Sequence, residues 1–445
     1  MIIERKMNAT GDARLQDSLP RLLWERFCFG KSTLTVQNGA ENTFVLGEEP
    51  LPVLRAGKEY AFSVSENGAA VVGADYNGLV RGYFALLMQI SLREEVLFVA
   101  PVAAESNYRI KNRMLHLCIF PETDYYFAKK LVRLAGLCQY THLVIEFWGT
   151  LQYDCLKELS WPQAWSKEQA ASLIHEVRVM GMEPIPMFNQ LGHATACRLI
   201  NGKHVVLDQN PALQELFTPD GWAWDIHSPK VRALLKAVRK ELYELFGEGE
   251  YMHIGCDEAY YYTRCDEERK KLPDYLRQLT AEVVEEGRRP MVWMDMFLER
   301  DKYNHTYKAT ATCAPDEVEQ MQAALHPETV PVDWQYRMED APLETMMSLK
   351  PRFQDVVGAP WYNPKNYTAI ANTVAEEGFF GIMMTTWHTL NPELPSVLGC
   401  AKECGAAGFP WSPFSGLREE TATLLRRVSI EGNAYQDCGW SPKQF

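Results

Sequence analysis

The chain lacks any uncharged apolar run that approaches the length of a membrane-spanning helix, which excludes an integral helical membrane protein. It also lacks a surplus of basic residues: 45 Lys and Arg stand against 58 Asp and Glu in 445 residues, a formal net charge of -13. Because an acidic chain repels phosphate groups, nucleic acids and anionic membranes are not expected partners. A small neutral or polar ligand is favoured instead.

The N-terminal residues contain no apolar segment of the kind that directs secretion. Residues 1–14 mix charged and polar side chains, whereas a secretory signal needs an apolar stretch of about 7–15 residues. The cysteine count of 11 is odd, and most of these residues stand within apolar stretches. We therefore expect buried reduced thiols and a cytoplasmic location. Cys400 and Cys404 have no second pair nearby, so they are not expected to form a zinc site.

Two hydrophobic patterns divide the chain near residue 108. The first part alternates like short strands over 33–36, 59–65 and 69–73, with a two-residue turn at 67–68, and a helical pattern follows over 77–90. These elements predict a small α+β domain over residues 1–107.

From residue 108 onward, apolar β-rich runs alternate with longer amphipathic helical segments. Eight buried strands separated by helices predict an α/β fold, a closed (β/α)8 TIM barrel, over residues 108–445. The active site of such a barrel lies at the C-terminal ends of its strands. The predicted strands are 114–120, 142–147, 184–189, 251–256, 291–297, 330–334, 355–360 and 381–386.

Aromatic and acidic residues recur at the predicted strand ends. The apolar faces of a sugar stack on aromatic rings while its hydroxyl groups need directed hydrogen bonds, so this composition favours a carbohydrate. Packing inside the barrel could account for a single tryptophan at a strand end. It is a weaker explanation for five tryptophans at five strand ends. The predicted mouth residues are Glu146, Trp148, Asn189, His193, Asp257, Glu258, Trp293, Asp295, Trp334, Tyr336, Trp361, Tyr362, Asn363, Trp387 and His388.

The strongest local signal is Tyr251-Met-His-Ile-Gly-Cys-Asp-Glu258, an apolar strand that ends in two adjacent carboxylates. An ionised pair is too costly to bury without partners, which indicates a functional site where one carboxyl group acts as an acid. The alternative is a metal site made of His253, Asp257 and His193. Because His253 lies further back on the strand and is expected to face the barrel interior, neither a metal nor another cofactor is predicted.

These motifs resemble those of glycoside hydrolase family 20, the β-N-acetylhexosaminidases. His253-Ile-Gly-Cys-Asp-Glu258 matches the family signature His-x-Gly-Gly-Asp-Glu at every position but Cys256, and Pro186–His193 resembles the family's Gly-His motif. The segment 108–113 is similar to the entry to the family's first barrel strand. The resemblance implies a retaining exo-hydrolase that removes terminal β-linked N-acetylglucosamine or N-acetylgalactosamine from an oligosaccharide.

The resemblance also implies substrate-assisted catalysis, in which the acetamido oxygen of the substrate attacks the anomeric carbon and forms an oxazolinium ion. Glu258 would be the acid and base, Asp257 would accept the acetamido N–H, and His193 would support the acid. The substrate-binding residues that the resemblance implies are Arg113 for the ring hydroxyls, Tyr362 for the acetamido carbonyl, Trp334, Trp361 and Trp387 around the sugar, and Trp293 on the wall. Glu146, Asp295 and Asn363 are predicted to bind substrate from their positions at the barrel mouth.

Several alternatives stay open at this stage. Arg113 can instead pair with a barrel carboxylate, His193 can cap a loop, and either of two aromatic neighbours near Tyr362 can face the substrate. Asn189 replaces a usual aspartate, and the strand-eight motif contains His388 where the family has glycine and lacks its glutamate. An altered hexosaminidase that releases disaccharides and an inactive sugar-binding barrel are therefore competing hypotheses, although the intact carboxylate pair argues against the latter. The N-terminal domain and the far barrel end offer surfaces for a homodimer.

Overall fold

A mixed sheet and two helices make up the first hundred residues. The computed structural model of the protein describes residues 1–194, 207, 210–307, 309–387, 390–405 and 416–430. The N-terminal elements are β1 (Lys6–Gly11), α1 (Ser18–Phe27), β2 (Thr33–Asn38), β3 (Thr43–Gly47), β4 (Tyr60–Val64), β5 (Gly68–Gly73), α2 (Tyr76–Leu87), β6 (Ser91–Arg93), β7 (Val96–Phe98) and β8 (Val102–Glu105). Six strands form one sheet in the order β2-β1-β3-β5-β4-β8, and the turn predicted at residues 67–68 joins β4 to β5.

Eight parallel strands then close into a barrel, as the alternating pattern predicted. They follow the order β10-β11-β12-β13-β14-β15-β16-β9, so that the last strand pairs with the first. The closed α/β barrel preceded by a small sheet domain is therefore confirmed. The barrel strands are β9 (Asn112–Cys118), β10 (His142–Glu146), β11 (Glu183–Met187), β12 (Tyr251–His253), β13 (Arg289–Trp293), β14 (Val330–Asp333), β15 (Val357–Gly358) and β16 (Gly381–Thr385).

The helices between the barrel strands begin at residues that satisfy their first backbone N–H groups. Ser166 and Gln169 form a reciprocal capping box at the start of one helix, and Ser228 caps the next before a proline at its first position. No helix within the described ranges combines the length and the apolar character needed to cross a membrane. The helices are α3 (Tyr125–Leu137), α4 (Lys167–Val179), α5 (Pro229–Phe246), α6 (Tyr260–Arg264), α7 (Asp266–Arg269), α8 (Leu272–Glu285), α9 (Arg300–Tyr307), α10 (Val318–Ala324), α11 (Glu344–Leu349), α12 (Pro364–Glu377), α13 (Leu390–Glu403) and α14 (Leu417–Arg427).

The barrel interior changes from apolar to polar or aromatic along three of its strands, β9, β10 and β13. Met114, Val144 and Met291 belong to an apolar cluster inside the barrel. Because side chains two residues apart on a strand share a face, the next inward positions hold His116, Glu146 and Trp293. The strand period therefore places a layer of polar and aromatic side chains beneath the mouth.

Arg113 connects the barrel to the N-terminal domain rather than to the mouth. It stands near the start of β9, is 1% exposed, and donates to both carboxylate oxygens of Glu59 at 3.0 and 3.1 Å. Burial opposes the ionisation of Glu59, but Arg113 and Arg81 hold its pKa below the ordinary value. The prediction that Arg113 binds the hydroxyl groups of the sugar is wrong, because Arg113 lies at the N-terminal end of its strand, and the active site of such a barrel lies at the C-terminal ends. Arg113 does form an ion pair, as the alternative proposed, but its partner Glu59 belongs to the N-terminal domain and not to the barrel.

We expect Arg113→Met to destabilise the protein without weakening substrate binding. The variant leaves Glu59 with Arg81 as its remaining charged partner at 2.6 Å, and the loss of hydrogen bonds to a charged group typically costs about 1.5–3 kcal/mol. Urea denaturation measures the free energy of unfolding, and Arg55→Met, which removes an exposed surface ion pair with Glu105, is the matched control. A large rise in KM for Arg113→Met, with stability unchanged, would contradict this assignment.

Candidate active site

The carboxylate pair stands on a turn with unusual backbone geometry directly after β12. Cys256 and Glu258 have φ values of 74° and 49°, a region that side chains disfavour. Asp295 accepts a hydrogen bond from the Glu258 amide at 2.9 Å, and the Trp222 indole donates to the Glu258 carbonyl at 2.8 Å. Asn189 accepts from the Cys256 amide at 3.2 Å. Residues from three other segments therefore hold the turn in place.

Gly192 is required where the loop after β11 meets this turn. A Cβ atom at Gly192 would lie 1.8 Å from the carbonyl oxygen of Asp257, which no side chain tolerates. This close approach places the next residue, His193, beside the carboxylate pair. The Gly-His motif recognised in the sequence thus serves the packing of two loops as well as the site itself.

His193 contacts both members of the pair. Its Nε2 atom lies 3.0 Å from Oε2 of Glu258 and 3.3 Å from Oδ2 of Asp257, and its ring packs 4.7 Å from that of Trp222. The Glu258 side chain keeps 24% exposure, whereas that of Asp257 keeps 9%. The structure therefore brings together the three residues that were predicted to be catalytic, with Glu258 the more accessible carboxylate.

Asp295 lies beneath the pair instead of lining the substrate space. It has 0% exposure, and its two oxygens accept from the Glu258 amide and from Nε1 of Trp334, the latter at 3.1 Å. Burial and the neighbouring charges of Asp257 and Glu258 raise the pKa of Asp295 well above its ordinary value. The prediction that Asp295 binds substrate is corrected, because both its oxygens are used to hold other residues of the site.

Glu146 and Trp293 are also deeper than predicted. They have 0% and 1% exposure. Oε2 of Glu146 lies 3.4 Å from Nε2 of His116, and Oε1 accepts a hydrogen bond from the side-chain amide of Asn189 at 3.3 Å. Trp293 packs against His253. Burial lowers the pKa of His253 well below its ordinary value, so His253 is a neutral core residue. Direct substrate contact is corrected for Glu146 and Trp293, since neither presents surface to the mouth.

Trp148 does not line an open cleft either. It is 1% exposed and stacks on Phe188 at a centroid distance of 6.4 Å. His388, which was also predicted at the mouth, lies outside the described residues. No cluster of three or more His, Cys, Asp or Glu side chains in the described part of the chain is arranged to hold a metal ion.

Aromatic side chains form one wall of a cavity of about 1100 Å³ that Glu258 helps to line. Neighbouring rings of Trp334, Tyr336, Trp361 and Tyr362 lie 5.2, 5.3 and 4.6 Å apart in that order. Such a wall suits the apolar face of a sugar ring. Trp334, Trp361, Tyr362 and Asn363, all predicted to bind substrate, line this cavity.

Tyr336 is less exposed than Tyr362 within the same aromatic wall. Tyr362 is 54% exposed at the outer edge of the wall. Tyr336 accepts a hydrogen bond from the Trp387 indole at 3.1 Å, and burial, with a contribution from Asp257 and Glu258, raises its pKa. Tyr336 was placed at the mouth by the sequence but was not among the predicted binding residues.

Two further site residues were missed by the sequence interpretation. Tyr260 donates to Oε1 of Glu258 at 2.6 Å, and Trp222 holds the Glu258 carbonyl. Tyr260 stands two positions beyond Glu258, so its proximity was a usable signal. Trp222 gave no signal, because a loop bridged by Phe217 and Trp224 brings it back over the barrel mouth.

A closed parallel barrel with two carboxylates and an aromatic wall at the C-terminal strand ends is the architecture of a barrel glycosidase. Residues 148–327 match the model described as the catalytic domain of glycosyl hydrolase family 20. This match covers the central part of the barrel and confirms the resemblance seen in the motifs, and the protein is a glycoside hydrolase. No curated protein matches the chain in sequence at a significant level.

Solved structures show the same fold at low sequence identity. The exo-β-N-acetylglucosaminidase of Vibrio harveyi in complex with N-acetylglucosamine has a TM-score of 0.66 and 14% identity, over 97% of this chain and 75% of its own. The β-N-acetylhexosaminidase of Bacteroides fragilis NCTC 9343 has a TM-score of 0.64 and 14% identity, over 99% of this chain and 93% of its own. At this identity the likeness establishes the fold.

We expect Asp295→Asn to lower kcat/KM strongly while preserving the fold. The asparagine retains one carbonyl oxygen, so either the Glu258 amide or the Trp334 indole loses its acceptor. Loss of a hydrogen bond to a charged group costs about 1.5–3 kcal/mol, or roughly 10–100-fold in rate. Asp333→Asn is the matched control, since Asp333 is equally buried but bonds to Gln335 and Thr345. Equal losses in both variants would refute a specific role for Asp295.

Proposed function

We propose that the protein is a retaining exo-β-N-acetylhexosaminidase that acts on oligosaccharides with a terminal β-linked N-acetylglucosamine or N-acetylgalactosamine. The observation that carries this proposal is the placement of Asp257 and Glu258 around a single histidine nitrogen, His193 Nε2. The cytoplasmic location, the homodimer and the domain boundary at residues 107 and 108 stay predictions from the sequence.

Glu258 is the proposed general acid. Its partly exposed carboxyl group lines the cavity, so its proton can reach the oxygen of a glycosidic bond there. As the bond between the anomeric carbon and that oxygen breaks, the proton passes from Glu258 to the leaving group. In the second step water attacks the anomeric carbon of the oxazolinium ion, the bond from that carbon to the acetamido oxygen breaks, and Glu258 accepts the proton from the water.

The arrangement of the pair supports a nucleophile supplied by the substrate. A protein carboxylate that acts as nucleophile must face the acid across the anomeric carbon, at about 5–5.5 Å. Here oxygens of Asp257 and Glu258 both lie within 3.3 Å of one nitrogen of His193, so an imidazole, and not the anomeric carbon of a sugar, is the group that both carboxylates contact. An acetamido oxygen of the substrate fills the missing role.

Asp257 is proposed to orient that acetamido group. A carboxylate that accepts the acetamido N–H fixes the carbonyl oxygen near the anomeric carbon and stabilises the positive charge of the oxazolinium ion. Its low exposure strengthens this interaction, because little water competes. Tyr336, whose hydroxyl already accepts from Trp387, is a better-placed donor to the acetamido carbonyl than the exposed Tyr362.

Release of nitrophenol from the β-N-acetylglucosaminide, the β-N-acetylgalactosaminide and the plain β-glucoside tests the proposal. We expect activity on the acetamido sugars alone, since the glucoside lacks the internal nucleophile. Glu258→Gln removes the acid and base and should lower kcat by about 10²–10⁴-fold. Asp257→Asn should lower it by about 10²–10³-fold. Asp333→Asn is again the control.

The rate on the β-glucoside and a separate binding measurement together test the mechanism. Hydrolysis of the β-glucoside at a rate similar to that of the acetamido sugars would sink substrate-assisted catalysis. A thiazoline mimic of the oxazolinium ion should bind far more tightly than N-acetylglucosamine, because a site built for this intermediate favours its shape and charge. Equal dissociation constants would also count against the mechanism.

A further inference from the structure

The Tyr260 hydroxyl makes a contact that the mechanism above does not use. Tyr260 begins α6, two residues beyond the acid, and donates to Oε1 of Glu258 at 2.6 Å. The other carboxylate oxygen, Oε2, lies 3.0 Å from Nε2 of His193. The two oxygens of the acid therefore have different partners, which come from different strand ends of the barrel.

The Tyr260 side chain is fixed from several sides. Its ring stacks on that of Trp222 at a centroid distance of 6.4 Å and an angle of 26°, and the Arg264 guanidinium lies 5.2 Å from its centre. The Tyr260 amide donates to the Glu258 carbonyl at 2.7 Å. Burial and the charge of Glu258 raise the pKa of Tyr260, so the hydroxyl keeps its proton and remains a donor.

Other ionisable groups around Glu258 act in both directions. The carboxyl groups of Asp257 and Asp295 are neighbours of the acid, and negative charge on either of them opposes its ionisation. His193 contacts both catalytic carboxylates, and Tyr336 lies within the electrostatic reach of the same pair. A hydroxyl donor aimed at Oε1 works against the two aspartates, because it stabilises the ionised form of Glu258.

We propose that Tyr260 is a positioning residue that fixes the Glu258 side chain and makes its carboxyl group release its proton at a lower pH. The catalytic meaning of this inference rests on the proposed function, in which Glu258 must give a proton and then take one. By favouring the ionised form, Tyr260 supports the second step and sets the upper pH limit of the first. Tyr260 acts through the acid and does not itself contact the reacting atoms.

Carbon-13 NMR of labelled glutamate carboxyl groups tests the inference without requiring activity. The Glu258 resonance is assigned by its loss in Glu258→Gln, and its titration midpoint is compared in the wild type, in Tyr260→Phe and in Tyr261→Phe. Tyr260→Phe keeps the ring on Trp222 but removes the donor, so its midpoint should rise by roughly one pH unit. Tyr261→Phe is the matched control, since the Tyr261 ring packs on Tyr262 instead, and its midpoint should not move.

The pH profile of kcat/KM supplies the second measurement. Because the first step needs protonated Glu258, the descending limb should move to higher pH in Tyr260→Phe by the same amount as the NMR midpoint. A midpoint equal to that of the wild type, or a loss of activity that is the same at every pH, would overturn the inference. A raised midpoint in a protein that leaves acetamido sugars intact would uphold the role of Tyr260 and refute the proposed function.

Discussion

The active site depends on holding three carboxylates close together without leaving any of them unsupported. Asp257, Glu258 and Asp295 repel one another, and burial adds to the cost of their charges. The protein meets this cost with directed donors: backbone amide, indole, imidazole and phenol groups each point at one of these oxygens. The same donors fix the side chains, so the electrostatic solution also orients the catalytic groups.

Backbone geometry and electrostatics are coupled at this point of the fold. Glu258 occupies a positive φ that costs free energy, and the contacts at its amide and carbonyl compensate for that cost. These contacts come from Asp295 and Trp222, on segments far apart in the chain. A turn that is unfavourable in isolation is thus stabilised by the closed barrel, which places the strand ends in one ring.

Several residues that the sequence placed in the site have supporting roles instead. Glu146, Trp293 and Asp295 continue the series of inward-facing residues on their strands, as predicted. They are buried below the mouth, however, and are not exposed at it. The strand period of two determines the face of the sheet on which a side chain lies. It does not determine how far below the barrel mouth that side chain lies, because this distance depends on the tilt of the strands and on the loops above them. Arg113 shows the same limit at the other end, where its partner Glu59 comes from another domain.

The sequence alone determined the barrel, the order of its eight strands and the identity of the carboxylate pair, because strand periodicity and an adjacent Asp-Glu at a strand end are local signals. It also indicated His193, through a short motif on the neighbouring strand. Only the tertiary structure decided that Tyr260 and Trp222 hold Glu258, that Tyr336 is less exposed than Tyr362, and that Arg113 lies outside the site. These outcomes depend on contacts between distant segments, such as the 36-residue separation of Trp222 and Glu258, whose geometry exists only once the barrel has closed.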